Sequence, residues 1–271
     1  SAIKQRHARS CLIPSASLRV NPKQSSCHDL LLKETLPGLV SILIPFRDRV
    51  ELTKICVQSL QANASDSVPF EIILIDNGSE EDCTKTWIQE ITQSNNIHCL
   101  RIDEPFNFSR LNNLARKACN GEHLLFLNND IEFISPNILN QLLDPFAHPG
   151  TAAVGARLLY PDRSIQHQGV VIIKGERRCV LEPGKHLHQP EVIDSLIPLN
   201  VQEEFSAASA ACLLMKADQF DAIGGFNEEL AVVFNDVDLC LRLREAGGHI
   251  VVTPHPTIIH HESVSRGKDL E

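Results

Sequence analysis

Four short apolar runs, separated by three amphipathic stretches, constrain this chain more than any other feature of its sequence. None approaches the roughly 18 apolar residues of a membrane helix, and continuous apolar runs of this length are typical of strands buried on both faces. The predicted strands are 39–45, 70–75, 97–102 and 122–127, and the predicted helices between them are about 50–63, 80–94 and 108–119. This alternation predicts right-handed crossovers and a doubly wound sheet.

The rest of the chain is less regular. Residues 1–38 mix Ser, Pro and basic side chains, which is typical of an arm or linker. The pattern after residue 130 predicts a helix near 136–146, a β-rich passage at 152–181, a Pro- and His-rich loop to about 200, an apolar stretch at 206–215, a short helix, a helix at 236–246 and a strand at 249–252.

Polar and acidic side chains follow each of the four predicted strands. These strand ends are Pro45-Phe46-Arg47-Asp48, Asp76-Asn77-Gly78-Ser79, Asp103-Glu104 and Asn128-Asn129-Asp130. Ligands of doubly wound sheets bind outside the carboxyl ends of the strands. The chain has neither Gly-x-Gly-x-x-Gly after the first strand nor a P-loop motif, which removes the main support for those phosphate sites. Ends rich in Asp and Asn instead indicate a site for sugar hydroxyls, a base edge or a metal ion.

Asp130 is the first candidate for a metal ligand. Asn128 lies two positions earlier, so the two side chains point the same way on extended backbone. The alternative is a purely structural role, in which these residues only form the turn after the strand. His260 or His261, which end an apolar segment, could complete a small metal site with Asp130 or could form a histidine pair at the surface.

A second acidic cluster, Asn235-Asp236-Val237-Asp238, opens the predicted helix at 236–246. Acidic residues near a helix N-terminus commonly cap the helix and offset its dipole. One aspartate can therefore be structural while the other is catalytic.

The formal net charge of −9 is unevenly distributed. Residues 1–38 contain six Lys and Arg against two Asp and Glu, so the remaining body is strongly acidic. This balance argues against nucleic acid as a partner. An anionic nucleotide is still compatible with it, because a divalent cation and backbone donors can hold a diphosphate. The nine cysteines, an odd number without C-x-x-C spacing, fit a reducing cytosol.

Eight segments, in this order, resemble those of family 2 glycosyltransferases of the GT-A fold, especially bacterial polysaccharide and rhamnosyl-type transferases. They span about residues 38–266 and are VSILIPFRDR, ILIDNGS, FNFSRLNN, GEHLLFLNND, GARLLYPDRSIQHQG, GGFNEEL, FNDVDLCLRLREAGG and TIIHHESVSRG. The resemblance implies an α/β fold with a Rossmann-like, mainly parallel sheet flanked by helices and a C-terminal acceptor-side subdomain. The implied division is an arm or linker at 1–38, a nucleotide-binding half at 39–130 and an acceptor-binding and catalytic half at 131–271.

The resemblance also implies roles for individual residues. One pocket would bind the nucleobase and ribose of a nucleotide sugar, and Asn113 would lie just below this pocket. The end of the fourth strand would also contact the nucleotide sugar. The residues expected to bind it are Pro45, Arg47, Asp48, Asp76, Asn113, Asn128 and Asn129. Asn128 replaces the first aspartate of the family's aspartate-x-aspartate motif, which removes one negative charge and leaves Asp130 as the expected ligand of Mn²⁺ or Mg²⁺.

Asp236 matches the proposed catalytic base of the family, although the glutamate that often precedes it is Asn235 here. His260 matches the C-terminal metal-binding histidine better than His261 does, by its distance from Ser265. The implied reaction is inverting, metal-dependent transfer of a sugar from a nucleoside-diphosphate sugar to a hydroxyl of a glycan or lipid-linked acceptor.

Two other functions stay open at this point. A sugar nucleotidyltransferase also uses an α/β sheet and metal-bound carboxylates, but it ordinarily has a Gly-rich basic loop after the first strand, where this chain has Pro45-Phe46-Arg47. An inactive nucleotide- or carbohydrate-binding module is the second. We expect a cytoplasmic location, with peripheral attachment at the inner face of the membrane as an alternative, and we expect the chain to be part of a longer multidomain protein.

Overall fold

The computed structural model describes residues 35–173, 179–181 and 202–261. Most of the predicted N-terminal arm and the predicted Pro- and His-rich loop lie outside these residues. Within them, no helix combines the length and the apolar character needed to cross a bilayer.

One mixed sheet of ten strands organises the described part of the chain, and a separate pair, β8 and β9, forms a small antiparallel ribbon. The strands are β1 (Leu36–Phe46), β2 (Phe70–Asp76), β3 (Ile97–Arg101), β4 (Gly121–Leu127), β5 (Ile131–Phe133), β6 (Thr151–Leu159), β7 (Ile165–His167), β8 (Val171–Ile173), β9 (Cys179–Leu181), β10 (Glu203–Phe205), β11 (Cys212–Lys216) and β12 (His249–His260).

The order across the sheet is β3-β2-β1-β4-β11-β6-β12-β10, with β5 added to β12 and β7 to β6. The pairings β3-β2, β2-β1, β1-β4 and β6-β12 are parallel. Because β11 lies antiparallel between β4 and β6, those two strands run in the same direction. The predicted doubly wound, mostly parallel sheet is thereby confirmed, with β11 as an inserted antiparallel strand.

Helices cover both faces of this sheet. They are α1 (Val50–Asn63), α2 (Asp82–Ile91), α3 (Phe108–Arg116), α4 (Ile138–Leu143), α5 (Ala217–Ala222) and α6 (Asn235–Glu245). Apolar residues of α1, α2 and α4 pack with Ile42 and Ile44 of β1, whereas those of α3, α5 and α6 belong to the cluster that includes Leu43. Successive residues of a strand face opposite sides, so β1 contributes to both cores.

The amphipathic pattern of α1 shows why these stretches are helical. Thr53 is buried together with the residues three, four and seven positions later, Cys56, Val57 and Leu60, and this spacing places all four on one side of the helix. Burying each large aliphatic side chain stabilises the fold by about 1.5 to 3 kcal/mol.

The C-terminal strand is longer than predicted. The sequence predicts a strand at 249–252, but β12 continues to His260 through Pro254 and Pro256. Its first part pairs with β6, and its last residues also pair antiparallel with β5, with His260 opposite Ile131. The sheet therefore contains strands from both sides of residue 130, and a domain boundary there stays a prediction.

Candidate active site

A cavity of about 400 Å³ opens at the carboxyl ends of β1, β2 and β4. Its walls come from the segment after β1, the turn after β4, residues 209–211 before β11 and the first residues of α6. This is the edge at which ligands bind in such sheets. Six of the predicted site residues line the cavity, namely Pro45, Arg47, Asn128, Asn129, Asp130 and Asp236.

Asp130 and His260 lie side by side at this edge. Nε2 of His260 is 3.1 Å from Oδ1 of Asp130 and 3.3 Å from Nδ2 of Asn128. Asp130 and His260 are only 4% and 8% exposed. The pair forms because β5, which directly follows Asp130, is hydrogen-bonded to the end of β12. The structure thus brings together two residues separated by most of the second half of the chain.

Gln166, on β7, orients the imidazole of His260. Its Oε1 is 2.6 Å from Nδ1 of His260. An amide oxygen only accepts hydrogen bonds, so Nδ1 carries a hydrogen, and this bond directs Nε2 toward Asp130. A carboxylate oxygen next to an imidazole nitrogen is a donor set that fits Mn²⁺ or Mg²⁺. Within the described residues, no three His, Cys, Asp or Glu side chains lie together in a way that could hold a metal ion.

The neighbouring histidine has a different partner. Nε2 of His261 lies 2.8 Å from Oε2 of Glu132, at the partly exposed edge formed by β5. The backbone N–H of His261 donates to the Asp130 carbonyl oxygen at 2.9 Å. The ring beside Asp130 is therefore that of His260.

The turn after β1 is strained and is held by hydrogen bonds. Asp48 and Arg49 both have φ of 46°, in the left-handed region that costs a non-glycine residue about 1 kcal/mol or more. Oδ1 of Asp48 accepts hydrogen bonds from the backbone N–H groups of Glu80 and Glu81, each at 2.9 Å. The N–H of Asp48 donates to Oγ of Ser79 at 2.9 Å. Asp48 thus joins the turn to the start of α2, and it does not line the cavity.

This turn directs two arginines to the cavity wall. Arg47 and Arg49 both line it, and Arg47 forms no ion pair with any residue in the described ranges. A guanidinium group suits a phosphate because its N–H donors form a planar fork. Arg49 was not singled out from the sequence, although its position in PFRDR, two residues after Arg47, placed it in the same turn.

At the end of β2 the cavity is lined by Asn77 rather than by Asp76. Asp76 is 2% exposed and is occupied by its surroundings: Oδ1 accepts from the N–H of Ser79 at 2.8 Å, and Oδ2 is 2.8 Å from a guanidinium nitrogen of Arg101. Its predicted contact with the nucleobase or ribose stays a prediction. The sequence analysis assigned the ligand contact to the carboxylate of Asp76 and not to Asn77, the next residue in the motif.

Asn113 lies on α3 and does not line the cavity. Its Nδ2 donates to the carbonyl oxygen of Phe226 at 2.9 Å and to Oε1 of Glu228 at 3.1 Å, and its Oδ1 accepts from the N–H of Phe226 at 2.9 Å. Asn113 therefore binds the loop between α5 and α6.

Asp236 lies in the first turn of α6 and lines the cavity. Oδ2 accepts a hydrogen bond from the N–H of Ala210 at 3.2 Å, and Oδ1 accepts from the N–H of Val237 at 2.8 Å. Burial raises the pKa of the Asp236 carboxyl above its ordinary value, while these backbone donors partly oppose the rise. A carboxylate with a raised pKa is a stronger base than one in water.

Asp238 has a structural environment instead. Its Oδ2 lies 2.9 Å from Nε and 2.8 Å from another guanidinium nitrogen of Arg242, one helical turn further along α6. The expectation that one of the two aspartates is structural agrees with this geometry.

Apolar side chains at the cavity mouth were not foreseen from the sequence. Phe106 and Val232 line the cavity and are 53% and 42% exposed, and the adjoining Val233 and Phe234 are 59% and 60% exposed. The backbone N–H of Phe108 donates to the carbonyl oxygen of Ala231 at 2.8 Å, which holds the two segments together. The available signal was two phenylalanines directly after an acidic strand end, in EPFNF.

The chain is similar to bacterial proteins that are much longer than itself. It is 42% identical over 233 residues to the uncharacterized protein y4gI of Sinorhizobium fredii, and 35% identical over 230 residues to the O-antigen biosynthesis protein RfbC of Myxococcus xanthus. Each alignment covers 85% of this chain but only 25% and 18% of those proteins. An N-acetylglucosaminyl-diphospho-decaprenol L-rhamnosyltransferase of Mycobacterium tuberculosis is 25% identical over 222 residues, covering 74% of this chain and 69% of that protein.

Solved structures share the fold at low sequence identity. GalNAc-T7, crystallised with UDP, GalNAc and Mn²⁺, has a TM-score of 0.66 at 14% identity and covers 90% of this chain and 47% of its own. The mannosyltransferase PcManGT of Pyrobaculum calidifontis, in complex with GDP-Man and Mn²⁺, has a TM-score of 0.59 at 12% identity and covers 83% and 58%. The GT-A fold is confirmed by these similarities.

The model of Glycosyl transferase family 2 matches residues 41–218, which is more than half of the chain. This range contains most of β1 together with β2, β3, β4 and β11, and the carboxyl ends of β1, β2 and β4 contribute to the cavity. The chain therefore belongs to glycosyl transferase family 2.

Proposed function

We propose that this chain transfers a sugar from a nucleoside-diphosphate sugar to a hydroxyl of a glycan or lipid-linked acceptor, with inversion at the anomeric carbon. The observation that carries the proposal is that Asp236 and the carboxylate of the Asp130–His260 pair line one cavity, at the ligand-binding edge of a GT-A sheet. Membership of the family supports glycosyl transfer itself.

On the donor side, Asp130 and His260 would hold a divalent cation together with oxygens of the diphosphate. When bound, the cation neutralises the negative charge that gathers on the departing nucleoside diphosphate. Arg47 and Arg49 add positive charge to the wall of the cavity, which Asn128 and Asn129 also line. The Mn²⁺ found with nucleotides in the two solved structures supports this arrangement.

On the acceptor side, Asp236 would act as the general base. A sugar hydroxyl has a pKa far above 7, so its proton must be removed as the new bond forms. Asp236 takes that proton, the acceptor oxygen bonds to the anomeric carbon, and the bond to the diphosphate oxygen breaks with its electron pair leaving on the nucleotide. The transition state has oxocarbenium character, as in glycoside hydrolysis.

Inversion is the outcome that this set of carboxylates favours. Retention through a covalent intermediate requires a carboxylate nucleophile in addition to an acid or base. Among the described residues that line the cavity, the carboxylates are Asp130 and Asp236, and Asp130 lies beside His260. One base remains, which suits a single displacement.

The cavity mouth would receive the acceptor. Phe106 and Val232 present apolar surface that can pack against the non-polar face of a sugar ring. We further propose that the chain works within a longer multidomain protein, as the lengths of its bacterial relatives suggest. We also propose a cytoplasmic site of action, with attachment at the inner face of the membrane as the alternative, because a reducing compartment suits the nine cysteines of the chain.

The experiment that tests the proposal has two stages. Nucleotide sugars are first screened by thermal shift with Mn²⁺, because a ligand at 100 times its dissociation constant stabilises by about 2.7 kcal/mol. The stabilising donor is then incubated with candidate acceptors, and NMR of the product reports the anomeric configuration. Binding without turnover of any acceptor would indicate an inactive binding module, and a product with the donor's configuration would contradict inversion.

A further inference from the structure

A network of hydrogen bonds joins the start of α3 to the loop that leads into α6. The loop, residues 223–234, ends two residues before Asp236. Two residues at the start of α3 donate hydrogen bonds to this loop. The N–H of Phe108 donates to the carbonyl oxygen of Ala231 at 2.8 Å, and Oγ of Ser109 donates to the carbonyl oxygen of Leu230 at 2.7 Å. The position of the loop is thus tied to a helix of the nucleotide-binding half.

Asn113 forms the most extensive link in this network. All three of its side-chain hydrogen bonds go to Phe226 and Glu228, and the residue is 5% exposed. Gly225 lies so close that a Cβ atom there would be 2.6 Å from Oδ1 of Asn113, and its φ is +71°. Gly225 therefore lets the loop approach the amide of Asn113 closely.

Charged and polar neighbours extend the same contact. A guanidinium nitrogen of Arg110 lies 3.1 Å from Oε2 of Glu228, and the same side chain is paired with Glu104. Nδ2 of Asn107 donates to the carbonyl oxygen of Glu228 at 2.8 Å. The segment after β3 and the loop before α6, which both contribute to the cavity mouth, are in this way held by one face of α3.

The residue that precedes α6 does not cap the helix with its own side chain. This N-cap residue is Phe234, with φ of 63° and no capping hydrogen bond from its side chain. A non-glycine residue in this region is strained and persists only when its surroundings hold it. The residues before Phe234 therefore help to fix where the first turn of α6 begins, while the Asp236 carboxylate itself accepts hydrogen bonds from Ala210 and Val237.

We propose that Asn113 is a positioning residue: it holds the 223–234 loop so that Asp236 is placed in the cavity wall. The proposal rests on the proposed role of Asp236 as the base. It gives Asn113 a different role from the nucleotide contact that the family resemblance implies, since its side-chain hydrogen bonds all go to the loop.

Hydrogen exchange of the loop is the direct test. Asn113→Ala should speed amide exchange across residues 226–238 by about tenfold or more, because the local opening of the loop becomes easier. Asn112→Ala is the matched control, since Asn112 is a buried neighbour on α3 whose Nδ2 donates only to the carbonyl oxygen of Phe108 in the same helix. Exchange at the wild-type rate in Asn113→Ala would overturn the proposal, whatever the enzyme's donor is.

Binding and turnover then separate positioning from nucleotide contact. With UDP and GDP as probes in the presence of Mn²⁺, Asn113→Ala should bind like the wild type, while kcat for the donor found by the screen falls about 10²-fold, the size expected for a small displacement of a reacting group. Weakened nucleotide binding with unchanged kcat would overturn positioning and support the contact implied by the resemblance. A wild type without any turnover would contradict the proposed function and leave the exchange result to decide on the loop.

A milder variant covers the case in which Asn113→Ala does not fold. Ser109→Ala removes one hydrogen bond of the same network, the one to Leu230. It should raise exchange in residues 226–238 and lower kcat by a smaller factor, again with nucleotide affinity unchanged. If it leaves both quantities at the wild-type level, the network does not position Asp236.

Discussion

Asp236 and Asp238 have different surroundings because two positions along an α-helix correspond to a rotation of about 200°. Asp236 faces the cavity and accepts hydrogen bonds from Ala210 and Val237, whereas Asp238 pairs with Arg242 along the surface of α6. The two side chains therefore offer a matched comparison within one helical turn. A general base should be sensitive to loss of its charge, and an ion pair at the surface should not.

Exchange of each carboxylate for an amide tests this assignment. Asp236→Asn should lower kcat by about 10²- to 10⁴-fold, the usual contribution of a general base, with nucleotide affinity nearly unchanged. Asp238→Asn should keep most of the turnover and lose a few tenths of a kcal/mol of stability at most. Steady-state kinetics and nucleotide titration measure both effects. An inactive Asp238→Asn beside an active Asp236→Asn would move the base two residues along the helix.

The raised pKa of Asp236 also predicts how stability depends on pH. An acid whose pKa is higher in the folded state than in the unfolded state lowers stability once the pH exceeds the unfolded value, and this penalty becomes complete above the folded value. Asp236→Asn should therefore raise the free energy of unfolding at pH 7, and the gain should shrink as the pH falls through the folded pKa. Urea unfolding at several pH values measures it. A gain that grows toward acid pH would show that the pKa is lowered instead.

At the scale of elements, the turn between β1 and α1 has a strained backbone and carries two arginines that line the cavity. Two consecutive left-handed residues, Asp48 and Arg49, bring the arginines to the cavity, and the Asp48 carboxylate keeps the turn in place through the start of α2. Asp48 therefore stabilises the turn that carries Arg47 and Arg49.

Replacing Asp48 tests how far the turn depends on it. Asp48→Ala loses both hydrogen bonds to α2 and puts a residue with poor tolerance of positive φ into the turn, so it should cost about 1 to 2 kcal/mol of stability. Asp48→Asn keeps an acceptor oxygen and tolerates this conformation, so it should cost less. Urea unfolding and UDP or GDP titration measure the two effects. Equal losses in both variants would mean that the charge of Asp48, and not its geometry, matters.

Regular elements could be predicted because their own residues determine them. The strands β1 to β4 are continuous apolar runs, and the helices α1 to α3 have apolar residues at helical spacing. Their predicted bounds agree with the structure within a few residues. The three-residue strand β5 and the last part of β12 could not be predicted, because each is a strand only through its pairing with the other. Pro254 and Pro256 also remove backbone donors, so the sequence suggested an earlier end.

The candidate site was predictable to a similar extent. The family resemblance selected Asp236 in the acidic cluster that opens a helix, and residue type and position after a strand identified Asp130; both line the cavity. The same reasoning also selected Asp76, whose carboxylate is occupied by Ser79 and Arg101 in the structure. Whether a polar side chain at a strand end faces a ligand or its own turn depends on long-range partners, and these are not visible in a local pattern.

At the scale of the whole molecule, one sheet assembles the cavity from distant parts of the chain. β4 ends at Leu127 and supplies Asp130, while β12 returns across the sheet and delivers His260 beside it. The protein has a formal net charge of −9, yet Arg47 and Arg49 line this cavity. Binding of a nucleotide with a divalent cation should therefore stabilise the folded chain as a whole. The Asp130–His260 pair and the cavity wall with Arg47 and Arg49 are assembled only in the folded state.

This linkage gives the last prediction, which concerns the metal. UDP or GDP should raise the melting temperature of the wild type more with Mn²⁺ than with a chelator, and His260→Ala should lose that Mn²⁺-dependent increment. His261→Ala is the matched control, because its ring pairs with Glu132 instead of Asp130 and its increment should persist. Each variant is compared with its own melting temperature without ligand, which removes any effect of the substitution on the fold. An increment lost in His261→Ala but kept in His260→Ala would exchange the two assignments. An increment unaffected by the chelator would mean that Arg47 and Arg49 hold the diphosphate without a metal ion.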